Sequence, residues 1–277
     1  MKIISWNIAG LRSKLKKNYI DNIIILDYDI ICFQESKGTK EEIEKLIPNK
    51  IKEIYKFRYY NSCLGEGDQR KGLNGVCIWS KLKAKKIIPN MGLGNEEGRI
   101  IAIDLGNFNL VNVYTPNGQY YDSLRYNFRI NKWDINFKNW INNLKKNKKT
   151  IVCGDFNVAH KNIDLHHRWA DILNEEIVVG ASEKERDNFN NLIKDEWIDI
   201  YRKYNVDKQI YTYWDQRIPV FRTKNIGWRI DYFMISKGIE KFVKNVDILN
   251  NIYGSDHCPI TIEINLNYPK KYLKIKT

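Results

Sequence analysis

The chain is constrained most by a series of short apolar runs, many of them too close together for a helix to fit between each pair. Lys2–Trp6, Ile30–Gln34, Asn74–Trp79, Arg99–Leu105, Asn109–Tyr114, Thr150–Cys153, Arg229–Ile235 and Ile260–Ile264 are mostly four to seven residues long and rich in Ile, Val, Tyr and Phe, as β-strands are. A plain doubly wound sheet needs a long crossover between successive parallel strands. The spacing therefore predicts two sheets packed together with helices outside, in the α/β (α+β) class. Ile260-Thr261-Ile262-Glu263-Ile264 alternates strictly, which predicts one buried face and one wet face. Between Leu124 and Leu144, Trp133, Phe137, Trp140, Ile141 and Leu144 form a helical stripe. Glu183–Tyr204 is read the same way, with Phe189, Leu192, Ile193, Ile200 and Tyr201 on one face. Asn18–Leu26 and Lys40–Leu46 are further helical stretches. With no Ser/Gly or Pro run between two halves, the reading is one domain over 1–266 and a basic tail over 267–277.

Composition narrows the partners. Lys and Arg total 46 against 33 Asp and Glu, a formal charge of +13, which favours a polyanion. Solubility alone suggests a charge of only about 2–8. Basic residues cluster at Lys81–Lys86, Lys145–Lys149 and Lys270–Lys276; a solvated helix end or tail accounts for any one cluster, but not for the total. No apolar stretch reaches the roughly 18–20 residues of a membrane helix. The most apolar segment, Ile23–Phe33, is broken by Asp27 and Asp29. The first residues carry no secretory pattern, and the five cysteines form no CxxC pair. The expectation is a reduced, intracellular setting (cytoplasm or nucleoid, nucleus in a eukaryote) without a cysteine zinc site. With only four histidines, any metal would be held mostly by oxygen.

Oxygen-bearing side chains sit at the ends of the apolar runs. Asn7 follows Ile3–Trp6, Glu35 follows Ile30–Gln34, and Asp155 and Asn157 follow Ile151–Gly154. Asp231 lies inside Ile230–Ile235, and Asp256 and His257 precede the last run. A single such residue is ordinarily a turn or a cap. Six positions from distant parts of the chain are different, because strand ends on one side of a sheet converge. The chemistry these groups support is hydrolysis at phosphorus. Glu35 and Asn7 oxygens suit Mg²⁺, Asp155 can deprotonate water, and His257 can donate to a phosphoryl oxygen with a carboxylate behind it.

The segments SWNIAGLR (5–12), CFQESK (32–37), NVYTPNG (112–118), CGDFNVAH (153–160), NIGWRIDYFMIS (225–236) and GSDHCPI (254–260) resemble, in order, the motifs of the exonuclease III family. These are the abasic-site (AP) endonucleases of the endonuclease/exonuclease/phosphatase superfamily. GDxN and SDH mark only the superfamily; NxGWRxDY with SDHCPI is narrower. The resemblance implies a four-layer αββα sandwich of two mixed β-sheets packed face to face. It implies an Mg²⁺-dependent DNA-repair nuclease, for which Mn²⁺ could substitute, cutting duplex DNA 5′ to an abasic site. The products would be a 3′-hydroxyl and a 5′-deoxyribose phosphate, with trimming of blocked 3′ ends and no membrane partner; a monomer is the default.

Residue by residue, the resemblance makes Glu35 the principal metal ligand, with Asn7 beside it and Asp256 near the metal and leaving group. Asp155 activates water, Asn157 binds the phosphate or orients that water, and Tyr114 contacts the scissile phosphate. His257 polarises the phosphate, held by Asp231. Tyr213, Trp228 and Ile230 form a small apolar pocket for a flipped-out baseless sugar, the extrusion that costs least. Arg217, like Gln119-Tyr120, lies where the family inserts side chains into the grooves. His160 is read as a structural hydrogen-bonder and the cysteines beside the site, Cys153 and Cys258, as packing residues.

Two departures stand out. Ala9 replaces an acid common in the family, and HHRWADILNEEIVVGASEKER from His166 keeps only Glu185-Arg186 of the family's loop ending. His166, His167, Arg168 and Trp169 either contact DNA or pack that loop down. Another phosphodiesterase of the superfamily is the competing enzyme reading: a non-specific nuclease, a sphingomyelinase-type lipase or an inositol phosphatase. The charge and the pocket speak against the lipid and inositol versions. A catalytically dead binding module would need losses among Asn7, Glu35, Asp155, Asn157, Asp231 or His257, and all six are present.

Overall fold

The computed structural model describes residues 1–65, 71–169 and 178–266; the tail assigned to 267–277 lies outside them. One sheet contains β1 (Lys2–Asn7), β2 (Ile30–Gln34), β3 (Phe57–Asn61), β4 (Val76–Ser80), β11 (Val243–Ile248) and β12 (Ile260–Ile264). The other contains β5 (Lys86–Ile88), β6 (Ile100–Asp104), β7 (Asn109–Tyr114), β8 (Thr150–Asp155), β9 (Trp197–Asp199) and β10 (Asp231–Ser236). Their spatial orders are β11-β12-β1-β2-β4-β3 and β5-β6-β7-β8-β10-β9. Among the described strands only β1–β2 and β7–β8 run parallel and the other pairings are antiparallel, so both sheets are mixed.

Three apolar layers explain why the central strands read as unbroken hydrophobic runs. Alternate residues such as Ile3, Ile30, Cys32 and Val76 meet Ile103, Leu110, Ile151 and Phe233 between the sheets. Their neighbours Ile4, Trp6, Ile31 and Phe33 pack outward against Leu11 of α1 (Leu11–Lys16), Ile23 of α2 (Asp21–Ile24), Ile43 of α3 (Lys40–Glu44) and Ile51 of α4 (Asn49–Ile54). On the far side Val111, Val113 and Val152 pack against Trp133, Phe137, Ile141 and Phe189. Each inner strand is thus covered on both faces. The sheets are also joined by a polar seam, in which the Gln34 amide donates to Asn112 Oδ1 (2.6 Å) and the Asn112 amide donates to the Phe33 and Cys77 carbonyls. A buried amide pair of this kind tolerates little slippage of one sheet over the other.

The structure corrects three readings. Ile260–Ile264 has no fully wet face, because the expected wet face is covered: Thr261 is buried and hydrogen-bonded to the Tyr28 side chain, which packs with Leu249 and Ile252 on the outer layer. Glu183–Tyr204 is not one helix: α7 (Glu183–Lys194) and α8 (Ile200–Tyr204) are separated by β9. Strand β10 begins at Asp231, two residues later than its apolar run. The stripe from Leu124 to Leu144 is helical but changes pitch, with α5 (Leu124–Phe128) passing through a π-helical turn at Arg129–Trp133 into α6 (Asp134–Asn147).

Candidate active site

The parallel pairs set the site. Because β1 and β2 run together, Asn7 at the end of β1 lies opposite Gln34, and Glu35 follows immediately. Tyr114 and Asp155 are register partners at the ends of β7 and β8, and Asp231 opens β10 directly opposite Asp155. Close approach is needed at Gly154, where a Cβ would lie 1.9 Å from the Val113 carbonyl oxygen. Glu35 and Asn157 hold φ of +50° and +49°, a region costly for residues other than glycine and concentrated at functional sites. The Asn157 turn is clamped from behind by the buried Arg129 guanidinium, which donates to the Phe156 and Asn157 carbonyls.

Hydrogen bonds knit these ends into one array. The Asn7 amide donates to Glu35 Oε1 (3.2 Å) and to Asp155 Oδ2 (3.0 Å). The Tyr114 hydroxyl donates to Glu35 Oε1 (2.8 Å), and the Asn157 backbone N–H donates to Asp155 Oδ1 (2.8 Å). His257 Nδ1 bonds Asp231 Oδ2 at 2.8 Å, while its Nε2 stands 3.8 Å from Asp155 Oδ2. That leaves Nε2 facing the array without a short partner.

The charges follow from burial and neighbours. Burial, reinforced by Asp231, pushes the Asp155 carboxyl up to about 7. Burial works against a charged His257, but Asp231 and the other carboxylates outweigh it and push the imidazole up to about 10. Glu35 is also desolvated, yet the Lys37 ammonium 2.6 Å from its Oε2 and the Tyr114 hydroxyl hold it below the usual range. The site therefore pairs an imidazolium with a carboxyl poised near neutrality, the split expected where acid and base act together.

A cavity of about 350 Å³ opens onto this array. Its lining combines the polar Glu35, Tyr114, Asp155, Asn157, Asp256, His257 and Arg217 with an apolar side of Tyr213, Trp228 and Ile230. The apolar side is tied to the polar side by backbone: Tyr213 and Trp228 exchange two N–H···O=C bonds, and Cys258 and Trp214 N–H groups bond the Thr212 and Asp256 carbonyls. The Tyr213 ring sits 5.0 Å from the His257 ring. Residues 4–257 match the profile of the endonuclease/exonuclease/phosphatase family. The chain belongs to this family.

Within that family the chain resembles DNA-repair nucleases. It is 34% identical to the DNA-(apurinic or apyrimidinic site) endonuclease of Dictyostelium discoideum, over 96% of this chain and 71% of the relative. It is 34% identical to the exodeoxyribonuclease of Bacillus subtilis, over 96% of this chain and all of the relative. The structure of an AP endonuclease from Archaeoglobus fulgidus superposes with a TM-score of 0.81 at 22% identity, covering 96% of this chain and all of that one. That last likeness speaks for the αββα fold. The chain is thus an exonuclease III-type hydrolytic nuclease.

The structure brings together every site residue expected from sequence, with Asn7 and Asp231 just behind the cavity wall. It also adds some. Lys37, two residues after Glu35 in CFQESK, supplies the nearest countercharge. Asn117 in NVYTPNG lines the cavity and donates to Asn157 Oδ1 (3.2 Å). Trp169 lines it too, its ring edge-on to Trp228 at 5.6 Å and to Phe221 at 6.1 Å, so this residue of the divergent loop packs the pocket wall. Arg217 is 87% exposed at the rim and bound by Asp215. His160 bonds Asn190 and packs on Phe189, a structural role as expected. All five cysteines are buried and unbridged. Among the described residues no helix is long and apolar enough to cross a membrane.

Proposed function

We propose that this nuclease hydrolyses the phosphodiester 5′ to an abasic site in duplex DNA, leaving a 3′-hydroxyl and a 5′-deoxyribose phosphate, and also trims blocked 3′ ends. The observation that carries the reading is the shared cavity: Tyr213, Trp228 and Ile230 make an apolar recess directly beside Asp155 and His257. A sugar without its base is the nucleotide cheapest to extrude and the one such a recess suits. The relatives' names support the same substrate.

A divalent cation fits the donor set. Glu35 and Asp256 offer hard oxygens, Asn7 would add one once its amide turns from the Ala9 N–H that its Oδ1 accepts from, and the nearest positive charge on Glu35 is a displaceable lysine. Asp155, Asp231 and His257 also offer ligand atoms within 4.8 Å of one another. There, however, the Asp231 bond favours imidazolium, whereas a metal needs neutral imidazole. We assign the cation, Mg²⁺ by choice, to Glu35 with Asn7 and Asp256. When bound it neutralises charge developing on the phosphoryl oxygens. The chain's own groups do the rest. Asp155, oriented by Asn7 and the Asn157 N–H, takes the proton of the attacking water as the water oxygen bonds to phosphorus and the P–O3′ bond breaks. The departing 3′-oxygen takes up a proton from solvent water to become the 3′-hydroxyl. His257 Nε2–H donates to a phosphoryl oxygen, with Asp231 fixing the ring. Tyr114 and Asn157 position the phosphate.

The deciding experiment is cleavage of a labelled duplex carrying one tetrahydrofuran abasic analogue beside an undamaged duplex, with Mg²⁺ and with EDTA. Metal-dependent incision at the analogue alone is expected. Equal degradation of both duplexes would replace this reading with a non-specific nuclease. Glu35→Ala is expected to abolish incision and to flatten the rise in Tm on Mg²⁺ titration, while duplex binding stays within about tenfold. An unchanged Mg²⁺ titration would move the metal away from Glu35.

A further inference from the structure

A second crevice, of about 960 Å³, lies at the opposite end of the second sheet. It is lined by Lys145 and Lys146 in the last turn of α6, Lys149 just after that helix, Lys194 at the end of α7, and Lys237 directly after β10. Strand β8 connects the two sites. Lys149 precedes its first residue and Asp155 is its last, a separation of about 20 Å at the rise of a strand.

The crevice carries surplus positive charge. Of its two carboxylates, Asp195 accepts from the Asn142 amide (2.7 Å) and faces Lys138 at 3.6 Å. Glu196 stands 3.9 Å from Lys145 and 3.8 Å from Lys237. Lys145 is further occupied by the Asp195 carbonyl. Lys146, Lys149 and Lys194 have no carboxylate within ion-pair distance among the described residues, the Lys149 ammonium lying over the Phe242 ring at 5.9 Å. A helix C-terminus attracts a cation or two, which accounts for Lys146 and Lys194. It does not account for Lys149, which lies outside the helices, or for Lys237, which opens the 3₁₀ helix Lys237–Phe242 at its N-terminal end.

We propose that this crevice is a second, sequence-independent docking surface for the phosphate backbone of duplex DNA. Ammonium groups with the Asn139 and Asn143 amides beside them are the donors that contact phosphate oxygens. Among the described residues no aromatic side chain lines the crevice, so it offers single-stranded bases no stacking platform. It offers an acidic protein segment no apolar anchor either. With damaged DNA held at the catalytic face, a second segment held about 20 Å away lets the enzyme pass between DNA segments without full release.

The test is the triple variant Lys146→Glu/Lys149→Glu/Lys194→Glu, none of which touches the catalytic array. At low salt the wild type is expected to bind two 15-base-pair duplexes per chain, one with tetrahydrofuran and one undamaged, and the variant only one. The salt slope of log K for undamaged duplex should fall in magnitude by about 2–3, near 0.9 per lost phosphate contact. kcat/KM on the tetrahydrofuran 15-mer should stay within about twofold. The corresponding triple Lys→Gln variant should fall between. One duplex per wild-type chain, or two per triple-Glu chain, overturns the proposal. So does a variant that keeps two duplexes but loses binding of a poly-glutamate peptide, which would make the partner an acidic protein.

Discussion

Asp155→Asn is expected to lower kcat on an abasic duplex by between about 10²- and 10⁴-fold, the usual worth of a positioned general base, with the Kd for that duplex within about tenfold. The replacement amide keeps the shape of the carboxyl, and its oxygen can still accept from Asn7 or from the Asn157 N–H. What it loses is the capacity to take a proton. The same substitution has an opposite effect on stability. Burial and Asp231 raise the Asp155 pKa in the folded state to about 7, above its unfolded value of about 3.9. A raised pKa means the folded state holds the proton more tightly, so its contribution is fully present below about pH 4 and is lost as pH rises through 7. At pH 8 without metal, the charged Asp155 is therefore a cost, and Asp155→Asn is expected to raise Tm. In the wild type kcat should climb through pH 7 as Asp155 ionises. Near-normal turnover of the Asn variant would remove Asp155 from the role of base, and a lower Tm at pH 8 would contradict its charge assignment.

Legibility of the fold divided along a physical line. All eight strands read from sequence are present, and each of the four missed strands, β3, β5, β9 and β11, terminates a sheet. An edge strand has one neighbour and can carry charge without losing its ladder. In β11, Lys244, Asn245 and Asp247 are exposed and interrupt the apolar signal; β5 and β9 have only three residues each. The inner strands are covered on both faces and announce themselves as apolar runs. Thr261 misled for a different reason: its polar side chain is paired with Tyr28 under the outer layer, so alternation in sequence did not mark a wet face.

The site was more legible than the fold around it, because its chemistry sits in motif residues at strand ends. Asn7, Glu35, Asp155 and His257 converge as strand-end logic requires. The gaps came from residues whose role depends on three-dimensional placement. Lys37 reads as one lysine among many until its ammonium is found on Glu35. Arg129 lies off the apolar stripe of Leu124–Leu144 and carries no assignment in the sequence, and only the π-helical turn directs it onto the Phe156 and Asn157 carbonyls. Trp169 lies in the stretch that departs from the family pattern, so no motif could assign it.

The strongest effect on stability is expected at Arg229, the inward-facing residue between the pocket residues Trp228 and Ile230. Its guanidinium, wholly buried, donates to Asp164 Oδ1 (2.8 Å) and to both oxygens of Asp199 (3.2 and 2.6 Å). Its own N–H holds the Asp164 carbonyl, fixing Asn162–Asp164 beneath the pocket. Arg229→Met keeps the bulk but leaves buried carboxylates short of their countercharge, a loss of about 3–5 kcal/mol in urea unfolding. Arg229→Lys should recover only part of it, since one ammonium cannot bridge two carboxylates as a planar fork does. The pH dependence has a definite sign. Desolvation alone would raise the Asp164 pKa, but Arg229 and Arg202 outweigh it and hold the carboxyl below its ordinary value. A depressed pKa contributes stability above the unfolded value of about 3.9 and loses it as pH falls through the lower folded value. In Arg229→Met the buried Asp164 loses the countercharge that lowers its pKa and takes up a proton sooner. The gap between wild type and variant should therefore be widest at neutral to alkaline pH and begin to narrow, as pH falls, well before about pH 4. A loss under about 1 kcal/mol at pH 7 would mean that the cluster is relieved by water or by Arg202 alone. In that case the wall carrying Trp228 and Ile230 would owe its position to backbone pairing with Tyr213 rather than to the buried charges behind it.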